Sequence, residues 1–139
     1  MESAPEPGAR DVTEMSPVIV TCEDRVLLSL GAAGSELIPG AIVQGIVNTI
    51  DRGLSIAEAL RHPRVNLTEE QPRVHADAGA EVIAMLRARW PSLQVSARGH
   101  ENNLGIVHAV GRDADGHPEG AADDAWDGSS VSVPSSSAL

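Results

Sequence analysis

The sequence contains no phenylalanine, no tyrosine and only two tryptophans. Its core must therefore be aliphatic, and stacking platforms for nucleic-acid bases are nearly absent. Basic residues are scarce as well. Ten Lys and Arg stand against twenty Asp and Glu, a net charge of −10 that repels phosphate and disfavours nucleic-acid binding. Cys22 is the single cysteine, which excludes an internal disulfide. Its place after "PVIV" reads as a small buried thiol. No run approaches the roughly 18 apolar residues of a membrane span. The first residues, "MESAPEPGARD", lack the basic-then-apolar pattern of a signal peptide. No metal site or cofactor is expected, and the compartment stays open.

What is present suffices for one domain: 139 residues, 42% of them hydrophobic. Residues 1–12, rich in Pro, Gly and charge, read as a flexible linker, 127–139 as a Ser-rich tail, and 13–126 as the folded part. "PVIVT" (17–21) and "RVLLSL" (25–30) flank a Glu23-Asp24 turn and predict a hairpin. Next comes a nearly bare loop, Gly31 to Ser35. Ile38, Ile42, Ile46 and Ile50, with Val43 and Val47, then predict a helix with a broad buried stripe. Ser35 is its candidate cap, Pro39 falls near its first turn and Gly53 closes it.

Ser55 and Glu58 have capping-box spacing, so a second short helix starts there and stops at Pro63. "RVH" (73–75) is a short strand. "GAEVIAMLRARW" (79–90) is a helix presenting Val82, Leu86 and Trp90, widened by Ile83 and Met85. "LQVSA" (93–97) and "LGIVHAVG" (104–111) read as strands, "RDADGH" (112–117) as a turn and "GAAD" (120–123) as the return strand. The order is ββααβαβββ, an α+β arrangement.

Chemical motifs are sparse. His100-Glu101 begins like a zinc-protease motif, but Leu104 stands where the second histidine belongs, so a loop is expected. Asp113, Asp115 and Gly116 resemble part of a calcium loop with the glycine misplaced, and a hairpin turn is expected. The loop 31–35 is neither a P-loop nor a dinucleotide fingerprint. Bare N–H groups at a helix start can nevertheless stabilise negative charge, beside the plainer reading of a tight turn. No Ser-His-Asp or Cys-His set can be assembled.

Four stretches, in order, resemble one family. "PGARDVTEMSPVIV" is similar to the segment ending S-S-M-S-P-T-I-V of γ-glutamyltranspeptidases, and "SLGAAGSELI" to their G-S-P-G-G-S-R-I-I. "VNTIDRGLSIAEALRHPRV" resembles their V-x-N-x-x-D-x-G-x-x-x-x-E-A-x-x-x-P-R-F/V, and "GAADDAWDG" their late G-A-S-D-P-R-x-D-G. The resemblance runs from about Pro7 to Gly128, the C-terminal portion of the family's small subunit. It implies part of an N-terminal-nucleophile hydrolase, a four-layer α/β/β/α sandwich, incomplete without an upstream segment. Such proteins cleave themselves into two subunits. A new N-terminal Thr, activated by its own amine, then passes a γ-glutamyl group from glutathione-type donors to water, amino acids or peptides.

The resemblance also implies site residues. Gly34 and Ser35 fall on the Gly-Gly pair whose N–H groups form the oxyanion hole. Thr13 and Glu14 fall on the serines that hold the substrate α-carboxylate, and Ala125 replaces the late Arg. The T-T-H processing site is not matched, so no catalytic nucleophile is expected in this chain. A large-subunit-like segment carrying Thr is the expected partner, with a γ-glutamyl compound as substrate. The alternatives are a non-catalytic, degenerate or partner-binding remnant, or a relative acting on another acyl group. With its neighbouring strands missing, the isolated chain is expected to expose a sheet edge and to associate.

Overall fold

The computed structural model describes residues 6–10, 12–68, 70–99, 104–113 and 115–131. Strands β1 (Val18–Cys22) and β2 (Arg25–Ala33) form the expected antiparallel hairpin, with Val18 opposite Leu30. Strand β6 (Ile106–Arg112) pairs with the other side of β2, and β7 (Pro118–Ala122) returns along β6. The result is a four-stranded antiparallel sheet of order β1-β2-β6-β7. A second sheet, of order β3-β4-β5, joins Val65–Asn66, Arg73–His75 and Gln94–Ser96, with β4 and β5 parallel. Helix α1 (Ile38–Ile46) follows a 3-10 turn at Ser35–Leu37 and continues into a π-helical turn, Val47–Asp51. Helix α2 spans Ile56–Arg61 and α3 spans Ala80–Arg89.

Alternation along the strands sends Leu28, Leu30, Val107 and Ala109 to one face, where they meet Ile38, Ala41, Ile42, Ile56 and Leu60 of α1 and α2. Gly45 lets α1 sit close, since a Cβ there would come within 3.3 Å of Leu30. A separate small core, Val74, Leu86 and Leu93, lies between α3 and the second sheet. The opposite face of the large sheet exposes Ile19, His108 and Val110. Among the described residues, the segment 128–131 lies over it, with the Ser130 hydroxyl donating to the Gly120 carbonyl at 2.6 Å.

Several expectations are corrected. The bare loop is shorter, because β2 runs on through Gly31, Ala32 and Ala33 in register with β6. Ser35 makes no side-chain capping bond. The α1 stripe is narrow: Ile38 and Ile42 are buried, while Val43, Val47 and Ile50 face outward. On α3 only Leu86 is fully buried, and Val82 and Met85 are exposed. Cys22 is exposed, because a bulge between Val20 and Thr21 carries it to the tip of an edge hairpin. Strand β3 is additional, making the order ββααββαβββ. By contrast, Pro39 lies in the first turn of α1, Gly53 has φ +67, and Ser55 and Glu58 form a complete capping box. The hydrogen bonds from Ser55 hold the Glu58 carboxyl below its ordinary pKa.

Candidate functional site

Strand β2 ends on Ala33, and two residues turn the chain into a helix. Gly34 takes φ 132, ψ 24, and Ser35 takes φ 52. Both lie in the left-handed region that favours glycine, so Ser35 carries backbone strain. The Leu37 N–H donates to the Gly34 carbonyl at 3.1 Å, tightening the turn. The Gly34 and Ser35 N–H groups come before any helical carbonyl they could reach, so they have no intrahelical acceptor. They form the positive end of a helical segment. Glu36 is exposed and acidic in the same turn.

Thr13 and Glu14 precede β1 and are exposed. The Thr13 hydroxyl accepts from the Met15 N–H at 3.2 Å, and the Ser16 hydroxyl donates to the Glu14 carbonyl at 2.9 Å. Strands β1 and β2 run antiparallel with Val18 opposite Leu30, so the residues just before β1 and those just after β2 leave the hairpin at the same end. All four candidate residues therefore share one end of the sheet. Among the described residues no hydrogen bond joins the two pairs.

Sequence reasoning missed a buried polar centre behind this end. The Arg64 guanidinium forms an ion pair with Asp123, both side chains almost fully buried. It also donates to the carbonyls of Leu60 at 3.0 Å and Gly105 at 2.7 Å. Asp123 in turn accepts from the Ala125 N–H at 2.9 Å. Burial pulls the Arg64 pKa down, and the Asp123 carboxylate opposes that shift. His75 packs beside it, wholly buried. The signal was available: Arg64 lies in "HPRV" and Asp123 in "GAADD", two of the stretches quoted above. What the sequence lacked was the fold that joins them across 59 positions.

His100 and Glu101 lie outside the described residues. Asp113, Asp115 and His117 sit on an exposed hairpin turn, where Asp113 accepts from the N–H groups of Asp115 at 3.0 Å and His117 at 2.8 Å. Those bonds, the His117 one foremost, keep the Asp113 carboxyl below its ordinary pKa.

The gamma-glutamyltranspeptidase family model matches residues 1–133. The chain belongs to the γ-glutamyltranspeptidase family. It is 28% identical over 119 residues to the glutathione hydrolase proenzyme of Escherichia coli K12, covering 84% of this chain and 20% of that protein. It is 33% identical over 132 residues to the acylase ACY 1 proenzyme of Pseudomonas sp. strain SE83, covering 91% and 22%. Among solved structures, the γ-glutamyltranspeptidase of Pseudomonas nitroreducens complexed with L-DON superposes with a TM-score of 0.77 at 29% identity, over 94% of this chain and 67% of that one. The chain thus spans about a fifth of the length of these curated relatives.

In this γ-glutamyltranspeptidase family member, Ala125 is the residue that the sequence resemblance sets against the late arginine. It is buried, and its N–H completes the turn around Asp123. That turn therefore closes without an arginine side chain.

Proposed function

We propose that the chain contributes the oxyanion loop and one substrate wall to a γ-glutamyltransferase or glutathione hydrolase type of acyl transfer. The observation that carries this reading is the turn at Gly34-Ser35, where two N–H groups without intrahelical acceptors stand at the start of a helical segment. Such donors stabilise the tetrahedral oxyanion, and losing one typically costs about 10²–10³ in rate. Thr13 and Glu14 flank them at the same sheet end. The nucleophilic Thr comes from a segment outside these 139 residues, in keeping with relatives that are proenzymes by name. The exposed face of the large sheet is where the remaining layers of an α/β/β/α sandwich pack, since among the described residues helices cover its other face alone.

Glu14 favours a second reading, a different acyl substrate. A carboxylate there repels a donor's α-carboxylate, more strongly as water is excluded. A donor with a neutral or cationic group fits better. One of the relatives is named as an acylase.

The test is release of p-nitroaniline from γ-glutamyl-p-nitroanilide. The chain alone is expected to give background rates, and the chain joined to an upstream segment bearing an N-terminal Thr to give turnover. Turnover by the chain alone overturns the division of roles. If the joined protein turns over only donors lacking the α-carboxylate, the second reading replaces the first.

A further inference from the structure

At the end of the large sheet away from the Gly34-Ser35 turn, where β2 begins and β6 closes, lies a cavity of about 620 Å³. That is within the size range of sites for small organic molecules. Its walls come from the start of β2, from the π-helical turn with the loop after it, and from the residues joining β6 to β7. Much of the lining is apolar. Val26 and Ile50 are 51% and 41% exposed, and Leu27 and Leu54 are half-buried.

The charged groups of the lining are unequally engaged. Arg25 opens β2 and Arg112 closes β6. The chain holds ten Lys and Arg against twenty Asp and Glu, yet neither arginine has a carboxylate partner among the described residues. Arg112 donates through Nη1 to the Gly116 carbonyl at 2.7 Å. The Arg25 guanidinium makes no hydrogen bond among the described residues. The two carboxylates of the lining are already committed to backbone donors. Glu119 accepts from the Ile56 N–H at 3.0 Å, and Asp113 accepts from the Asp115 and His117 N–H groups.

The helical wall is irregular. The Arg52 N–H reaches back five residues to the Val47 carbonyl at 3.1 Å, and the Leu54 N–H donates to the Asn48 carbonyl at 3.1 Å. A π-helical turn gives up regular helix geometry and recurs where a helix lines a functional site. Here it places Thr49 and Ile50 in the lining. The half-buried Thr49 hydroxyl has no hydrogen-bond partner among the described residues.

We propose that this cavity binds a small organic carboxylate with an apolar body: Arg25 and Arg112 take the carboxylate, and Val26, Ile50 and Leu54 take the chain. A guanidinium presents N–H donors in the fork that a carboxylate matches. A bare inorganic anion leaves the apolar lining wet, and a neutral apolar molecule leaves both guanidiniums unpaired. The inference uses none of the residues of the Gly34-Ser35 turn and stands independently of their role.

Titration of the whole chain with hexanoate, followed by NMR of the backbone amides, tests this. Saturable shifts are expected in residues 25–27, 49–54 and 112–113, with a Kd of about 1 mM, in keeping with so few ligand atoms. Hexanamide is neutral at the same shape, and acetate and inorganic phosphate lack the chain. Each is expected to bind about tenfold more weakly, because each lacks one half of the recognition. Arg25→Gln and Arg112→Gln are each expected to raise the Kd about tenfold, the worth of a hydrogen bond to a charged group. Arg87→Gln, on α3, is expected to leave it unchanged. Should Arg112→Gln disturb the β6–β7 turn, Arg25→Gln decides, since that side chain is exposed and bonds to nothing among the described residues. The proposal is overturned by the absence of saturable shifts, by hexanamide or inorganic phosphate binding as tightly as hexanoate, or by an unchanged Kd in Arg25→Gln. Shifts confined to Ile19 and Val110, on the open face of the sheet, overturn it as well.

Discussion

Ser35 holds a side chain at φ 52, where its Cβ crowds the following carbonyl and a glycine does not. That conformation costs about 1–2 kcal/mol, and glycine returns about 0.4–1 kcal/mol through its freer unfolded chain. Ser35→Gly should therefore raise stability by about 1 kcal/mol or less, read as a higher urea midpoint at unchanged slope. A lower midpoint would show that the serine side chain does something the backbone does not reveal. Asp123 sits at the opposite extreme of consequence. Asp123→Ala leaves the Arg64 guanidinium buried and unpaired, at a cost of about 3–5 kcal/mol. Replacing both partners by apolar residues should cost much less than that single change. A denaturation series of the two singles and the double measures the difference.

At the scale of elements, the clearest local rule is the N-terminus of α2. The Ser55 hydroxyl accepts from the Glu58 N–H at 3.3 Å, the Glu58 carboxylate accepts from the Ser55 N–H at 3.0 Å, and Glu119 of β7 accepts from the Ile56 N–H at 3.0 Å. Ser55→Ala should cost about 1 kcal/mol, measured by thermal or urea unfolding. The box was legible in the sequence because it needs only spacing. The β1–β2 hairpin, β4 and the β6–β7 return were legible for the same reason, through runs of apolar residues between turn signals. Glu119 was not, because its partner lies 63 positions away. Strand β3 escaped because two residues carry no periodicity. The helix faces were overestimated because an apolar residue on a helix says nothing of whether a partner layer lies opposite it, and Val43, Val47 and Met85 have none among the described residues. The Gly34-Ser35 turn was legible as small residues, and its left-handed angles only as a condition on Ser35.

For the whole molecule, the large sheet has a helical layer on one side and apolar side chains in water on the other. Ile19 is 65% exposed on edge strand β1, and Val110 is 58% exposed on β6. Such a surface associates unless charge or a covering segment prevents it. Sedimentation velocity should show concentration-dependent association, increasing with salt as the net charge of −10 is screened. Ile19→Lys should shift the distribution toward monomer, as lysine protects natural sheet edges. An unchanged distribution would move the contact away from β1. No described helix is long and apolar enough to cross a membrane.

Gln44 has a bearing on how this sequence is free to vary. Its side-chain amide donates to the Val65 carbonyl at 2.9 Å and accepts from the Val65 N–H at 3.0 Å, so one helical side chain completes a strand's ladder. Only a group with a donor and an acceptor at the right reach can do both. Asparagine is one carbon too short, and glutamate offers oxygen to oxygen at Val65. The change of a single atom, nitrogen to oxygen, would turn a joint between helix and sheet into a repulsion. Position 44 is thus closed to a substitution that an exposed helical site would accept without effect.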